Sequence, residues 1–330
     1  MRGFPVRELL SIVVLALGLS ACADPDVGTK KRPFTMYFVP SVDAQGIATK
    51  SKPLEKFIAK FVSQGLYGKD EGFYVETSVP TSYVAVVEAF GTDKADFATF
   101  TTSAYILAKD VKKYSVEPLF TIARGVHGSD TTYKGQIITR ADSGINTLED
   151  LKGKKFAYTD PSSTSGFILP NKIFTDKGIQ LGSTIFAQKH DNVVTMIYQG
   201  QVDAGATYYT PPDVIEKDGK KVSEIRDARM RVLKQYPDVE EKIKIIGFTQ
   251  EVPNEPWVIR GNLFKDPLLN DKVKRLIKEG ILAFIQTPEG KDALWTIATA
   301  TNLISSSDET YKDIRKLFIE SQVDVAAQVK

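Results

Sequence analysis

The amino-acid sequence predicts an α/β protein with two lobes, each built on a mostly parallel sheet flanked by helices. Short apolar runs typical of strands alternate with amphipathic runs typical of helices through most of the chain. The 330 residues, of which 42% are hydrophobic and 25% charged, are enough for two domains with cores of their own. The 43 basic and 41 acidic residues nearly cancel, so the composition gives no sign of a nucleic-acid partner.

The first 22 residues have the pattern of a signal peptide. Arg2 and Arg7 precede the apolar run Leu9–Leu19, which is too short to span a bilayer. The run ends in Leu19-Ser20-Ala21-Cys22, which resembles a bacterial lipobox, so we expect cleavage before Cys22 and lipidation of its sulfur. The alternative is a coincidental cysteine after a conventional signal peptide. The mature protein is then expected outside the cytoplasmic membrane, on the periplasmic side of the envelope or at the cell surface.

After Cys22, residues 23–32 are polar and are expected to form a short tether, and the sequence shows no second membrane segment. Because Cys22 is the single cysteine, we expect no disulfide and no redox-active or metal-binding thiol.

The first half of the mature chain shows a regular βαβαβ rhythm. Strands are predicted at Phe34–Pro40, Phe73–Val79, Asp96–Phe100, Pro118–Arg124 and Tyr133–Thr139, and helices at Leu54–Leu66, Thr81–Phe90 and Thr101–Lys109. Ser82 or Thr81 is expected to cap the second of these helices.

The second half continues the alternation and ends in helices. The expected elements are a helical turn at Leu148–Lys152, strands at Lys154–Tyr158, Ala204–Tyr208 and Lys242–Phe248, a short helix at Asp213–Glu216, and C-terminal helices at Lys272–Ile285, Glu289–Leu294 and Ser307–Phe318. The charged stretch Glu216–Glu241 is expected to form surface helix and loop.

One stretch has the composition of an anion site. Ser163, Thr164 and Ser165 lie between a predicted strand and a predicted helix, where their hydroxyls can satisfy the first helical N–H groups. A helix N-terminus that faces a cleft binds small anions readily. Gly166 is expected to let a ligand approach the backbone, and Pro170 to cause a kink or a 3₁₀ opening turn. The alternative is an ordinary capped helix.

Four motifs occur in order along the chain: Ser82-Tyr83 before an apolar helix, Asp96-Phe97-Ala98, the segment Asp160–Gly166, and His190-Asp191 before Gly200-Gln201-Val202-Asp203-Ala204. Together they resemble the phosphonate/phosphite/phosphate-binding family of ABC transporter solute receptors. That family has the two-lobed type 2 periplasmic binding protein fold with a two-strand hinge. The resemblance covers nearly all of the mature chain.

The resemblance implies a set of ligand-binding residues. Ser163, Thr164 and Ser165 would hold the oxyanion with hydroxyls and backbone amides, since neutral donors suit a partly dehydrated anion. His190 would donate to an anion oxygen and change charge near neutral pH. The family's cleft tyrosines correspond to Tyr83 and Tyr133, whose phenols can donate while their rings pack the organic substituent.

Two acidic residues complete the implied set. Glu255 stands in Pro253-Asn254-Glu255-Pro256, where the family has an aspartate, and beside an oxyanion it would share a proton with the ligand. For Asp203 two roles stay open, a ligand contact and a cap or hinge hydrogen bond. No catalytic residue, metal or cofactor is expected.

One departure from the family pattern bears on the ligand. Receptors for aminoalkylphosphonates have an acid shortly after the Val-Asp-Ala segment, whereas this chain reads Thr207-Tyr208-Tyr209-Thr210. The sequence therefore favours phosphate, phosphite or a short alkylphosphonate, with the two tyrosines filling the space of an organic tail.

The resemblance also implies the organisation of the mature protein. Lobe one would comprise 33–128 and 249–330, and lobe two 129–248, joined by crossing strands near Ala123–Ile138 and Lys244–Glu251. We expect a monomer that closes over its ligand, delivers it to an ABC permease, and contacts the membrane only through its lipid anchor.

Three alternatives to this function differ in what they require of the sequence. An oxyanion-sensing lipoprotein that acts with a membrane signalling partner needs the same closure, so the sequence does not separate it from a transport receptor. An enzyme with Ser163 or Ser165 as nucleophile and His190 as base lacks the Gly-x-Ser-x-Gly elbow. A purely structural lipoprotein would bind no small anion.

Overall fold

The computed structural model describes residues 26–320, with side chains to residue 318. The predicted signal peptide and Cys22 lie outside the described residues. Within residues 26–320, no helix combines the length and the apolar character needed to cross a membrane.

Strands and helices alternate through most of the described chain. The strands are β1 (Phe34–Tyr37), β2 (Val75–Ser78), β3 (Phe97–Thr99), β4 (Val116–Ala123), β5 (Thr132–Arg140), β6 (Lys155–Tyr158), β7 (Ser183–Phe186), β8 (Ala204–Tyr209), β9 (Asp213–Lys217), β10 (Lys220–Glu224), β11 (Ile243–Pro253), β12 (Pro256–Arg260) and β13 (Asn302–Ser305). The α-helices are α1 (Ala44–Tyr67), α2 (Tyr83–Gly91), α3 (Thr102–Ile106), α4 (Leu169–Asp176), α5 (His190–Tyr198), α6 (Val239–Lys242), α7 (Pro267–Phe284), α8 (Pro288–Ala298) and α9 (Lys312–Glu320). Tighter 3₁₀ turns lie at Glu149–Leu151, Ala228–Val232 and Asp308–Tyr311, and wider π turns at Leu107–Val111 and Thr164–Ile168.

The first large sheet has six strands in the order β13-β4-β12-β3-β1-β2. β1 pairs in parallel with β2 and β3, whereas β12 and β13 run antiparallel to their neighbours. Helices α1, α7 and α8 contribute Leu54, Ile281 and Leu294 to a core that also holds Phe120 and Trp257 of the sheet. This burial of large apolar side chains is the main stabilising term of the first layer.

The second large sheet has five strands in the order β11-β5-β8-β6-β7. β6 pairs in parallel with β7 and β8, but β5 runs antiparallel to both β8 and β11. The predicted α/β class with two sheets flanked by helices is confirmed, with one correction: the sheets are mixed rather than mostly parallel. Every antiparallel pair in the two large sheets includes β4, β5, β11 or β12, the strands that flank the connections between the sheets.

Two segments connect the sheets, residues 124–131 between β4 and β5 and the pair Asn254–Glu255 between β11 and β12. The fully buried side chain of Asn254 donates to Ile122 O at 3.0 Å and to Asp130 O at 2.8 Å. Its Oδ1 accepts from Arg124 Nη1 at 2.7 Å. One amide therefore fastens the two crossings to each other.

The helix predicted at Asp213–Glu216 is wrong, because β9 and β10 form an antiparallel hairpin there. The hairpin turns at Asp218 and Gly219, which have φ of 52° and 75°. Positive φ at both central residues is typical of the two-residue turns that match the twist of a hairpin, and Asp-Gly is a favoured pair for them. β12 and β13 were not predicted from the sequence.

The helix after the hydroxyl run opens in an unexpected way. Thr164–Ile168 form a wide π turn, in which Phe167 N and Ile168 N both donate to Ser163 O. Pro170 lacks the N–H that would donate to Gly166 O, and this carbonyl accepts from Thr159 N at 3.1 Å instead. The expected kink or 3₁₀ turn is thus replaced by a π turn that leads into α4.

Candidate functional site

The hydroxyl run lies at the edge of the second sheet, where β6 ends. Ser163 caps the π turn by accepting from Gly166 N at 3.0 Å, and Ser163, Thr164 and Ser165 are all buried. A Cβ on Gly166 would lie 2.2 Å from Thr159 Oγ1. The glycine therefore makes room for Thr159 rather than for a ligand, contrary to the expectation from the sequence.

A cavity of about 50 Å³ lies between the two sheets, with walls from both. This is room for roughly four water-sized groups. The second sheet and its helices contribute Tyr133, Ser163, Ser165, His190 and Tyr208. The facing wall consists of Val39, Ser41, Val42, Tyr83, Thr99, Phe100, Thr101, Ile122, Arg124, Glu255, Trp257, Ile297, Ala298 and Thr299.

Two tyrosine hydroxyls in this lining are buried without a hydrogen-bond partner in the protein. They belong to Tyr83, the first residue of α2, and to Tyr208 near the end of β8. Burial raises the pKa of Tyr83 well above its usual value, so its phenol keeps its proton and can donate. An unpaired buried hydroxyl costs about 1–3 kcal/mol, which a ligand acceptor would recover.

Tyr133 of β5 joins the hydroxyl run to the facing wall. Burial raises the pKa of its phenol above the usual value, and the neighbouring hydroxyls of Ser165 and Thr164 oppose part of this rise. The Arg124 guanidinium lies over its ring, 5.6 Å from the centroid. Tyr133 thus stands between the Ser165 hydroxyl and the Arg124 cation.

His190, the first residue of α5, is buried between Thr159 and Tyr208. Its Nδ1 lies 3.2 Å from Thr159 Oγ1, and its ring meets the Tyr208 ring edge-on at 4.9 Å. Burial lowers the pKa of His190 to about 3, with help from the positive charges of Arg231 and Arg124. The expected change of charge near neutral pH is therefore corrected: the imidazole stays neutral, with one donor and one acceptor nitrogen.

Glu255 does not face the cavity as an isolated carboxylate. Arg124 Nη2 donates to Glu255 Oε1 at 3.2 Å and lies 3.0 Å from Oε2. The negative charge of Glu255 is thus offset by this guanidinium, and a proton shared between Glu255 and an oxyanion stays a prediction. Arg124, the residue that follows β4, was missed because a lone arginine after a strand matches no motif.

Thr164 lies beside the cavity rather than in its lining. Its Oγ1 accepts from Ser103 N at 2.9 Å and lies 2.9 Å from Ser103 Oγ. Thr101 Oγ1 and Ser103 Oγ both donate to Ser162 O, at 2.8 and 2.7 Å. The start of α3 on the first sheet is thus hydrogen-bonded directly to the hydroxyl run on the second.

Asp203 lies outside the cavity lining. Its Oδ2 accepts from Lys155 N at 2.8 Å, and its own N–H donates to Lys155 O at 3.0 Å. Of the two roles left open for Asp203, these contacts correspond to the structural hydrogen bond between β6 and β8. Tyr209 likewise packs on Phe248, 4.6 Å between ring centroids, rather than in the cavity.

The cavity therefore combines hydroxyl donors, a neutral histidine and one arginine–glutamate pair. Within residues 26–320, no three His, Cys, Asp or Glu side chains are grouped so that they could hold a metal ion. Such a set of neutral donors around a small space suits the oxygens of a small anion.

Comparisons with known proteins agree with one another. A family model described as "ABC transporter, phosphonate, periplasmic substrate-binding protein" matches residues 36–311. The chain is 29% identical over 231 residues to the phosphate-import protein PhnD of Mycolicibacterium smegmatis, which covers 64% of this chain and 68% of that protein. It is 26% identical over 259 residues to the phosphonates-binding periplasmic protein of Escherichia coli, covering 76% of this chain and 68% of that one.

Among solved structures, the fold is similar to that of PhnD1 from Prochlorococcus marinus in complex with methylphosphonate. The TM-score is 0.65 at 19% identity, and the match covers 87% of this chain and 97% of that one.

Proposed function

Because the chain belongs to the family of periplasmic substrate-binding proteins of phosphonate ABC transporters, we propose that its interlobe cavity binds a small phosphorus oxyanion. Membership of the family places the protein outside the cytoplasm, as a receptor that works with an ABC permease. The finer points below, namely the ligand, its contacts, the lobe movement and the membrane anchor, are our proposals.

The proposal rests mainly on one observation: hydroxyl groups without hydrogen-bond partners line the same cavity as the capped N-terminus of a helical turn. The hydroxyls of Tyr83 and Tyr208 are buried without partners in the same lining as Ser163 and Ser165. An oxyanion accepts many hydrogen bonds at once, so it satisfies several such donors together. The ligand contacts that we propose are Ser163, Ser165, Tyr83, Tyr133, Tyr208 and His190, with Thr164 and Glu255 acting beside them.

The ligand we propose is phosphate, phosphite or a short alkylphosphonate. A cavity of about 50 Å³ has little room beyond the oxyanion itself. The nearest acid after Thr207–Thr210 is Asp213, which is ion-paired with Arg226 and leaves no carboxylate there for a ligand amine. Similar proteins carry names that refer to phosphate and phosphonates, and one is described with methylphosphonate.

Binding is proposed to couple to closure of two lobes, 33–128 with 254–330 and 129–253. The boundary expected at residue 248 is moved to the end of β11, because this strand pairs with β5 as far as Pro253. Since β11 continues the second sheet to Pro253, the crossing at Asn254–Glu255 would serve as the hinge together with residues 124–131. Hinge closure of this kind excludes water from the ligand and presents a distinct shape to a permease.

We further propose that Cys22 is lipidated, that the protein is a monomer, and that it catalyses no reaction. The family consists of transport receptors rather than enzymes. Ser163 Oγ is engaged as a helix cap and His190 Nδ1 faces Thr159, so neither forms a nucleophile–base pair with the other. A signalling lipoprotein that reports the same anion is the second candidate.

Calorimetric titration of the chain from residue 24 tests the main proposal. The panel is phosphate, phosphite, methylphosphonate, 2-aminoethylphosphonate and sulfate. We expect one-site binding of a phosphorus oxyanion, and at least about tenfold weaker binding by Tyr83→Phe. Clear preference for 2-aminoethylphosphonate would contradict the ligand proposal, and a folded protein that binds none of the panel would contradict the receptor proposal for this anion class.

A further inference from the structure

Arg231 reaches from the second lobe to the first at one end of the cavity. It lies in the 3₁₀ turn Ala228–Val232, and its Nη2 donates to Thr299 Oγ1. Thr299 follows the last turn of α8, has a left-handed backbone with φ of 49°, and lines the cavity. The guanidinium therefore bridges the two walls that would separate on opening.

The charge of Arg231 has no carboxylate partner among residues 26–318. This distinguishes it from the other arginines near the cavity: Arg226 pairs with Asp213, Arg229 with Asp227, and Arg124 with Glu255. Its Nε is buried without a hydrogen-bond partner. A partly buried cation without a counter-ion is unfavourable unless an anion comes close.

The positive charge of Arg231 acts on a residue of the cavity lining. Arg231 lowers the pKa of His190, a lining residue, more than Arg124 does. Arg124 itself donates to Ala298 O at 3.3 Å, so two guanidinium groups meet the C-terminal end of α8. That helix end has only about half a negative charge to offer them. Because Glu255 offsets the charge of Arg124, the positive charge of Arg231 is not neutralised by a carboxylate.

From this arrangement we infer that Arg231 is the counter-charge of the bound oxyanion, so that the second negative charge of a doubly ionised ligand strengthens closure through the Arg231–Thr299 bridge. The inference rests on the proposed function and adds the charge state of the ligand to it. It makes a dianion the preferred form, although the direct contacts to the anion are neutral donors.

The titratable and charged groups that face Arg231 are His190 on α5, the Arg124–Glu255 pair on the facing wall, and the Asp227–Arg229 pair on its own turn. His190 is neutral down to a pKa of about 3. A change of affinity across the ligand's second ionisation thus reports the charge of the ligand.

The test is calorimetric titration of the purified protein with methylphosphonate, below and above the second pKa of this ligand. Wild type is expected to bind the dianion roughly tenfold more tightly than the monoanion. Arg231→Gln should lose this ratio while keeping its monoanion affinity within about threefold. Arg231→Lys should keep most of the ratio, and Arg275→Gln on the exposed face of α7 should match wild type.

The outcomes separate the two levels of the proposal. If Arg231→Gln binds with the wild-type ratio, the inference is overturned and the receptor proposal stands. If wild type binds no phosphorus oxyanion, both are overturned. Arg231→Met supplies a second uncharged side chain should the glutamine variant unfold, and a full wild-type ratio in Arg231→Met would equally reject the role.

Discussion

The phenol of Tyr83 shows how a single side chain can favour binding over stability. Its ring is packed in the core, yet its hydroxyl is buried without a partner. In a closed molecule without a ligand, this group loses its hydrogen bond to water and gains nothing in return. The same loss makes it an effective donor once an acceptor occupies the cavity.

Removing that hydroxyl should therefore change stability and affinity in opposite directions. Tyr83→Phe and Tyr208→Phe are expected to unfold at the same temperature as wild type or higher, and to bind methylphosphonate about 10- to 100-fold more weakly. Calorimetric titration and thermal unfolding measure the two effects. Tyr105→Phe is the matched control, because the Tyr105 hydroxyl donates to Asp308 and its loss should lower stability without changing affinity. A Tyr83→Phe variant that is clearly less stable would contradict this account.

His190 should give the protein a specific sensitivity to acid. Its pKa is lowered from 6.5 to about 3 in the folded protein. Between these two pH values the unfolded chain is protonated at His190 and the folded chain is not. The contribution of His190 to the free energy of unfolding is therefore fully present above the pKa of the unfolded chain, and it declines as the pH falls below that value. At about pH 5 the loss is about 2 kcal/mol.

Denaturant unfolding of wild type and His190→Asn, each at neutral pH and at about pH 5, measures this contribution. The difference between the two proteins should shrink at the lower pH, because asparagine does not titrate. Parallel pH profiles would show that His190 keeps an ordinary pKa in the folded protein.

At the scale of single residues, the sequence indicated several residues that line the cavity, but it did not indicate the two arginines near it. Ser163 and Ser165 stand between a predicted strand and a predicted helix, whereas the expectation that Tyr83 faces the same cleft came from the resemblance to a receptor family. As ligand-binding residues they stay predictions. Arg124 and Arg231 carry no motif, and their importance depends on which carboxylates lie near them in three dimensions.

At the scale of elements, two helical N-termini from opposite sheets meet at the cavity. Ser103 near the start of α3 bonds to Thr164, and Thr101 and Ser103 both donate to Ser162 O. These bonds join elements that are about 60 residues apart in sequence. The hydroxyl run is therefore positioned to hold the proposed lobes closed, in addition to the anion contact that we propose.

Ser103→Ala should weaken ligand binding through closure rather than through contact. We expect a loss of roughly five- to tenfold in methylphosphonate affinity, equal for the two ionisation states of the ligand. Thr287→Ala is the control, since Thr287 caps α8 away from the cleft by accepting from Gly290 N at 3.0 Å. It should lower stability by about 1 kcal/mol and leave affinity unchanged. Equal affinities for Ser103→Ala and wild type would argue against a closure role.

The elements that the sequence predicted poorly are those fixed by distant partners. β1, β5 and α2 follow from local periodicity and were predicted close to their observed bounds. The β9–β10 hairpin was read as a helix although its Asp218-Gly219 turn was visible, because its short, charged strands lack an apolar alternation. The π turn before α4 depends on the Thr159–Gly166 contact, which no local pattern reveals.

At the scale of the whole molecule, both tryptophans of the chain lie where the lobes meet. Trp257 lines the cavity, and Trp295 on α8 has the Arg226 guanidinium 4.9 Å from its ring centroid. Arg226 belongs to the second lobe that we propose. Intrinsic fluorescence should therefore report closure without any added label.

Titration with methylphosphonate is expected to change the emission of wild type in a saturable manner. X-ray scattering should show a smaller radius of gyration at saturation. Trp295→Phe and Arg226→Gln should each remove the part of the change that comes from the cation–ring contact. Ligand saturation that alters neither emission nor radius of gyration would contradict hinge closure.

The unpaired polar groups of the cavity also have a consequence for the permease. A molecule that closed without cargo would bury the hydroxyls of Tyr83 and Tyr208 and the indole N–H of Trp257 with no partner, at about 1–3 kcal/mol each. Closure without a ligand would then be rare, because these free-energy costs add to the cost of removing water from the cavity. A transporter that responds to the closed shape would accordingly receive few spurious signals, and would hydrolyse ATP mainly for receptors that carry an anion.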